Sequence, residues 1–112
     1  MPKRYRVEIT GAAERDVVGI YEYIERRSPE RAVTWFAEIE RQAQTLSQHP
    51  KRCPVISEAD DIGAEYRHLF WGNYRTVFRI EGITVYVVRV IHGAQLLETG
   101  TLETREMPDR ND

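Results

Sequence analysis

Apolar and polar residues alternate from Arg4 to Ile9, in "RYRVEI", which predicts a short strand. The period then changes. Ala13, Val17, Ile20, Tyr21 and Ile24 recur at helical spacing behind Thr10, while Arg15, Gly19, Glu22 and Arg26 take the opposite side. Ser28 suits an N-cap and Pro29 the first helical position, so a second helix begins at once. Its apolar residues are Ala32, Phe36, Ile39, Ala43 and Leu46, widened by Val33 and Trp35, and Pro50 is expected to end it. Two amphipathic helices with so short a link predict an antiparallel hairpin.

Lys51 to Glu65 holds acidic pairs, a proline and a glycine without periodicity, and reads as a loop. Strand patterns return at Tyr66–Trp71, Tyr74–Ile80 and Ile83–His92. They are separated by Gly72-Asn73 and Glu81-Gly82, two-residue connections of the kind that close hairpins. The expected fold is α+β: an N-terminal strand, an antiparallel helix hairpin, and a three-stranded antiparallel meander packed on the helices. Residues 1–97 form one domain in this reading, and the acidic stretch 98–112 a flexible tail.

Counting outward from the two turns sorts the meander into faces. Leu69, Trp71, Tyr74, Thr76, Phe78, Ile80, Ile83, Val85, Val87 and Ile91 fall on one face, with Arg67 and Arg89 among them. This more apolar face is expected against the helices. Tyr66, His68, Phe70, Arg75, Val77, Arg79, Thr84, Tyr86, Val88, Val90 and His92 fall on the other. That face is expected to be open, and it gathers arginine, tyrosine and histidine. Arginine and tyrosine are enriched at recognition hot spots, and all three types can hold phosphate or stack on bases.

Charge sharpens this picture. The 112-residue chain carries a formal −2, but Tyr66 to His92 holds Arg67, Arg75, Arg79 and Arg89 against Glu81 alone. From Glu98 onward, Glu98, Glu103, Glu106, Asp109 and Asp112 outweigh Arg105 and Arg110, a net of −3, so residues 1–97 carry +1. The basic charge is thus concentrated on the sheet. No apolar run approaches the roughly 20 residues of a membrane span, and "MPKRYRVEI" lacks the apolar core of a secretory signal. Cys53 is the only cysteine and has no nucleophile motif around it, so a reducing cytoplasm is the expected location. Nothing in the residues calls for a metal or a cofactor.

The order of elements, with "AERDVVGIYEYI", "AVTWFAEIERQAQTLSQHP" and "GNYRTVFRIEG" followed by "VYVVRVIHGA", resembles the RelE/ParE family of toxins from bacterial toxin–antitoxin operons. The resemblance spans roughly residues 4–96. It implies a small toxin neutralised by a cognate antitoxin, expected to be a ribbon-helix-helix protein of ParD type. It also implies one of two activities. ParE-like members poison DNA gyrase; RelE-like members cleave mRNA on the ribosome. Metal-free RNA cleavage needs a base, cations around the phosphate and an acid. Arg75 matches the family's tyrosine-arginine pair, and His68 and His92 are the acid–base candidates of a ribonuclease. RelE-like members, however, place an arginine and then a tyrosine after the last strand, where "HGAQLLETG" offers Gln95 and no tyrosine. The ParE-like branch is therefore favoured. In that reading Tyr66, His68, Arg75, Arg79, Tyr86 and His92 form the target-binding surface, and Tyr23, Trp35 and Phe36 meet the antitoxin.

Overall fold

The computed structural model describes residues 3–57 and 65–93. Its elements follow the expected order: β1 (Arg6–Ile9), α1 (Gly11–Glu25), α2 (Pro29–Gln44), two single 3-10 turns (Thr45–Ser47 and Pro50–Arg52), β2 (Arg67–Trp71), β3 (Tyr74–Glu81) and β4 (Thr84–His92). The acidic stretch 98–112 and Gln95 lie outside the described residues.

Both helices begin as their sequence signals dictate. Ser28 accepts from the Arg31 N–H with Pro29 in the first turn. Thr10 accepts from the Ala13 N–H at 3.2 Å. α2 stops at Gln44, six residues before the expected proline. There the Thr45 hydroxyl donates back to the Gln42 carbonyl at 2.6 Å, and the last turn tightens into 3-10 geometry.

The sheet order is β1-β4-β3-β2, with β1 parallel to β4 and both other pairs antiparallel. The expected meander is present, and β1 completes it on the β4 edge. The helix hairpin covers one face. Ala13, Trp35, Ile39 and Leu46 meet Phe78, Val85, Val87 and Val90 in the main core, with Leu69, Trp71, Tyr74 and Ile80 packed around them.

Two features of β4 depart from simple counting. The second hairpin loop is Gly82-Ile83, with Glu81 opposite Thr84, rather than Glu81-Gly82. Gly82 stands at φ +62° and Gly72 at φ +60°, each at the first loop position. A II′ turn needs a positive φ there, which glycine alone adopts freely, so glycine leads each loop. Register then slips between Val77 and Phe78: Phe78 faces Val87, but Val77 faces Arg89. Val88 is the extra residue of a β-bulge, and a bulge exchanges the faces of everything beyond it.

The start of α1 satisfies the polar groups that this bulge leaves over. The Thr10 hydroxyl donates to the Val88 carbonyl at 3.3 Å. Asp16 accepts from the Val90 N–H at 2.9 Å. Thr10 is 2% exposed and serves as helix cap and bulge partner together. Thr10→Ala removes both bonds and is expected to lower stability by about 1–2 kcal/mol, readable as a lower urea midpoint at unchanged slope.

Candidate functional site

The candidate target surface is the sheet face turned away from the helices. Antiparallel pairing sets Arg79 opposite Tyr86 and Phe70 opposite Arg75. The Arg79 guanidinium lies 4.6 Å from the centre of the Tyr86 ring and pairs with Glu81 at 3.0 Å. This stacking holds a cation flat on an aromatic, with the ion pair fixing its outer end. Arg75 donates to Nδ1 of His68 at 3.0 Å. A guanidinium only donates, so His68 accepts at Nδ1 and carries its ring proton on Nε2. The His68 ring in turn meets Phe70 edge-on at 4.6 Å, and Phe70 is 54% exposed.

This face is less open than alternation predicts. Tyr66 is 1% exposed and Arg75 4%. Ile56, Tyr66, Val77, Val88 and Ile91 form a second, smaller apolar cluster there, with Tyr86 packed against it. The cause lies in the stretch read as featureless loop. Pro54 accepts from the His68 N–H at 3.2 Å and Ile56 donates to Tyr66 at 2.9 Å, so this segment runs beside β2 and carries Ile56 onto the face. Tyr66 and Arg75 are accordingly set into the surface, and Arg79, Tyr86, His68 and Phe70 form its accessible part.

His92 is not on this face. It pairs with Tyr74 on the helix side, ring centres 5.8 Å apart, because the bulge at Val88 exchanges the counted faces of Val90, Ile91 and His92. The same inversion sends Val90 into the main core and Ile91 to the second cluster, opposite to their counted positions. His68, Arg75 and His92 therefore do not converge on one substrate atom.

Both arginines counted onto the apolar face have partners within the chain. Arg67 donates to the Cys53 carbonyl at 2.6 Å and to that of Lys51 at 3.3 Å. Arg89 pairs with Asp16 through Nε at 2.6 Å and Nη2 at 3.0 Å. Asp16 carries no functional expectation from the sequence, although an acid within the Ala13–Val17–Ile20 stripe facing an arginine on an apolar strand is a legible signal. Cys53 is buried, and that burial pushes its thiol above the usual range despite the opposing charges of Arg52 and Arg67. A protonated, enclosed thiol is a poor nucleophile.

On the hairpin, Tyr23 is 53% exposed and Phe36 42%, whereas Trp35 is buried with its ring 5.4 Å from Tyr74. Tyr23 and Phe36 can meet a partner directly, and Trp35 backs the surface from within. Among the described residues no group of His, Cys, Asp and Glu side chains is arranged to hold a metal ion. Nor is any described helix long and apolar enough to cross a membrane.

Comparison with known proteins bears on the fold and the family. The structure is similar to a chain of the chromosomal ParDE TA system from P. aeruginosa, with a TM-score of 0.64 and 22% identity over 80% of this chain and 97% of that one. It is also similar to a chain of the toxin–antitoxin complex RelBE2 from Mycobacterium tuberculosis, with a TM-score of 0.56 and 29% identity over 80% of this chain and 98% of that one. No curated protein matches the chain. Residues 7–97 match the family model described as the ParE toxin of the type II toxin–antitoxin system parDE. With a toxin-like fold and a match that takes in both helices and all of the sheet beyond Arg6, this chain belongs to the ParE toxin family of type II toxin–antitoxin systems.

Proposed function

We propose that this toxin arrests growth by inhibiting DNA gyrase through the face that carries Arg79, Tyr86, His68 and Phe70, and that a cognate antitoxin neutralises it in the cytoplasm. One observation carries the choice of gyrase over mRNA: the acid–base candidates are dispersed. His92 lies on the helix side, Arg75 is 4% exposed, and the Nδ1 lone pair of His68 already accepts from Arg75. General acid–base cleavage of RNA needs such groups within hydrogen-bond reach of one phosphate. A binding toxin needs only a complementary surface, and a stacked arginine–tyrosine pair beside an exposed phenylalanine is hot-spot chemistry. The match to the ParE rather than the RelE branch points the same way.

The purified protein is expected to block gyrase supercoiling of relaxed plasmid and to leave translated mRNA uncut by primer extension. Cleaved mRNA with unimpaired supercoiling would transfer the assignment to a ribosome-dependent endoribonuclease.

Both structural neighbours come from toxin–antitoxin systems, which supports an antitoxin partner. In this proposal a ParD-like, ribbon-helix-helix antitoxin lays an amphipathic helix along the hairpin. Tyr23 and Phe36 are its exposed aromatic anchors. An apolar groove of about 170 Å³ between Ile9, Val17, Phe36 and Ile39 receives the apolar side of that helix.

A further inference from the structure

A second basic patch lies off the sheet, at the end of the hairpin opposite its tip. It forms where the stretch leading into β1 meets the two 3-10 turns that follow α2. The Tyr5 N–H donates to the Ser47 carbonyl at 2.8 Å, and Arg4 bridges to Gln48. The Arg52 guanidinium reaches the same place from the second turn. It donates to the carbonyls of Gln48 at 2.7 Å and His49 at 3.2 Å, and to the Thr45 hydroxyl at 3.0 Å. Lys3 and Lys51 adjoin Arg4 and Arg52 in the chain, and all four cations are exposed.

This patch is uncompensated. Residues 3–5 and 45–57 hold Lys3, Arg4, Lys51 and Arg52 and no acidic residue. Arg6, Arg41 and Arg67 nearby each face a carboxylate, of Glu8, Glu38 and Glu65 respectively. Among the described residues none of the four cations has such a partner. Like charges gathered in one place repel, so the arrangement costs stability until something outside neutralises it. It is also held rigid. His49 stands at φ +49°, the one described non-glycine residue in the left-handed region. Such a conformation persists only where its surroundings fix it, and Arg52 does so through the carbonyls on either side.

We infer that this end of the molecule binds the phosphate backbone of duplex DNA, with Lys3, Arg4, Lys51 and Arg52 as the cations. Several cations with no carboxylate between them match a run of phosphates, each of which gives up its counterion on contact. The surface itself chooses a duplex over a single strand. Single strands are held by aromatic rings on which their bases stack. Tyr5 is the only phenylalanine, tyrosine or tryptophan in these stretches. It packs against the main core, and the Lys3 ammonium lies 5.5 Å from its ring centre. No ring is therefore offered to a base. The choice of DNA over double-stranded RNA rests on the gyrase reading, because gyrase works on duplex DNA. The inference goes beyond that reading by giving the toxin a contact with the nucleic acid itself, away from the face that carries Arg79 and Tyr86. A whole-chain charge of −2 keeps this contact weak, so it adds to a protein contact and does not replace one.

Fluorescence anisotropy of a short labelled DNA duplex, titrated with the full chain at several salt concentrations, tests this. Saturable binding is expected, with log K falling against log salt at a slope of about −3.6, as for four neutralised phosphates. In Lys3→Ala/Arg4→Ala/Lys51→Ala the slope should shrink to about −0.9 and binding weaken at least about a hundredfold at roughly 50 mM salt. Arg52 is left in place because it ties the second turn to the first. Arg26→Ala/Arg27→Ala/Arg31→Ala removes equal charge from exposed positions at the hairpin tip. It should change affinity by less than about threefold, because about 20 Å of α2 separates that tip from the patch and salt screens charge over such a distance. No saturable binding to the duplex, equal loss in the two variants, or tighter binding of a single strand or of double-stranded RNA would each overturn the inference. The slope is read on the unaltered chain, so a value near zero overturns it even if the first variant does not fold. Absent duplex binding beside intact supercoiling inhibition counts against this inference alone, and duplex binding without inhibition counts against the gyrase reading alone.

Discussion

Replacing Asp16 with alanine is expected to destabilise the protein by about 3 kcal/mol, at the lower end of the cost of breaking a buried ion pair. Asp16 and Arg89 side chains are only 17% and 15% exposed, so water does little to replace either partner. The substitution strands the Arg89 guanidinium inside the α1–β4 interface and orphans the Val90 N–H, two separate losses. Against the total of roughly 5–15 kcal/mol typical of small domains, this is a large fraction. Asp16→Asn keeps one oxygen for Val90 and should cost about half as much. Asp16→Ala combined with Arg89→Met should recover most of the loss, because an apolar pair of similar size removes the stranded charge along with its partner. Urea unfolding of the three variants measures this. If the double variant is as unstable as Asp16→Ala, the damage comes from the open bulge N–H, and the ion pair contributes little.

That clamp marks where sequence reasoning ran out. Helix faces were legible because each apolar residue repeats every three or four positions, and Ser28-Pro29 announces a helix start without tertiary help. The faces of β2 and β3 were legible for a similar reason, since two-residue turns fix register by counting. Alternation failed at Val88, where one unpaired residue exchanges the faces of Val90, Ile91 and His92. Nothing local to "VYVVRVIH" betrays the bulge, because valine and isoleucine suit either face. Its cause is distant: Thr10 and Asp16 bind the polar groups it frees, more than seventy residues away in sequence. The parallel pairing of β1 with β4 was likewise invisible, since strand periodicity names no partner. So the chain placed Arg79 and Tyr86 on one face, but their direct pairing depends on the Gly82-Ile83 turn that counting missed, and His92, counted onto that face, lies on the helix side.

The misplacement of His92 supplies the sharpest functional test. Arg79→Ala is expected to weaken the proposed gyrase inhibition by at least thirtyfold, the loss typical of a hot-spot arginine worth about 2 kcal/mol. His92→Ala should leave inhibition within about twofold of the unaltered toxin, since roughly 0.4 kcal/mol covers a residue outside the interface. The pair is informative because the two mechanisms demand opposite outcomes. A ribonuclease that used His92 as acid or base would lose about 10²–10⁴ in rate with His92→Ala. Arg79 is 18% exposed in its side chain and rests on Tyr86, so truncation also removes packing. Tyr86→Phe keeps that ring in place, and binding of the antitoxin, which the proposal seats on the helix hairpin, provides an independent check that each variant is folded. Retained antitoxin binding with lost supercoiling inhibition assigns the Arg79 effect to the gyrase contact. Loss of both means that the arginine supports the sheet, and the target face must then be sought elsewhere on the molecule.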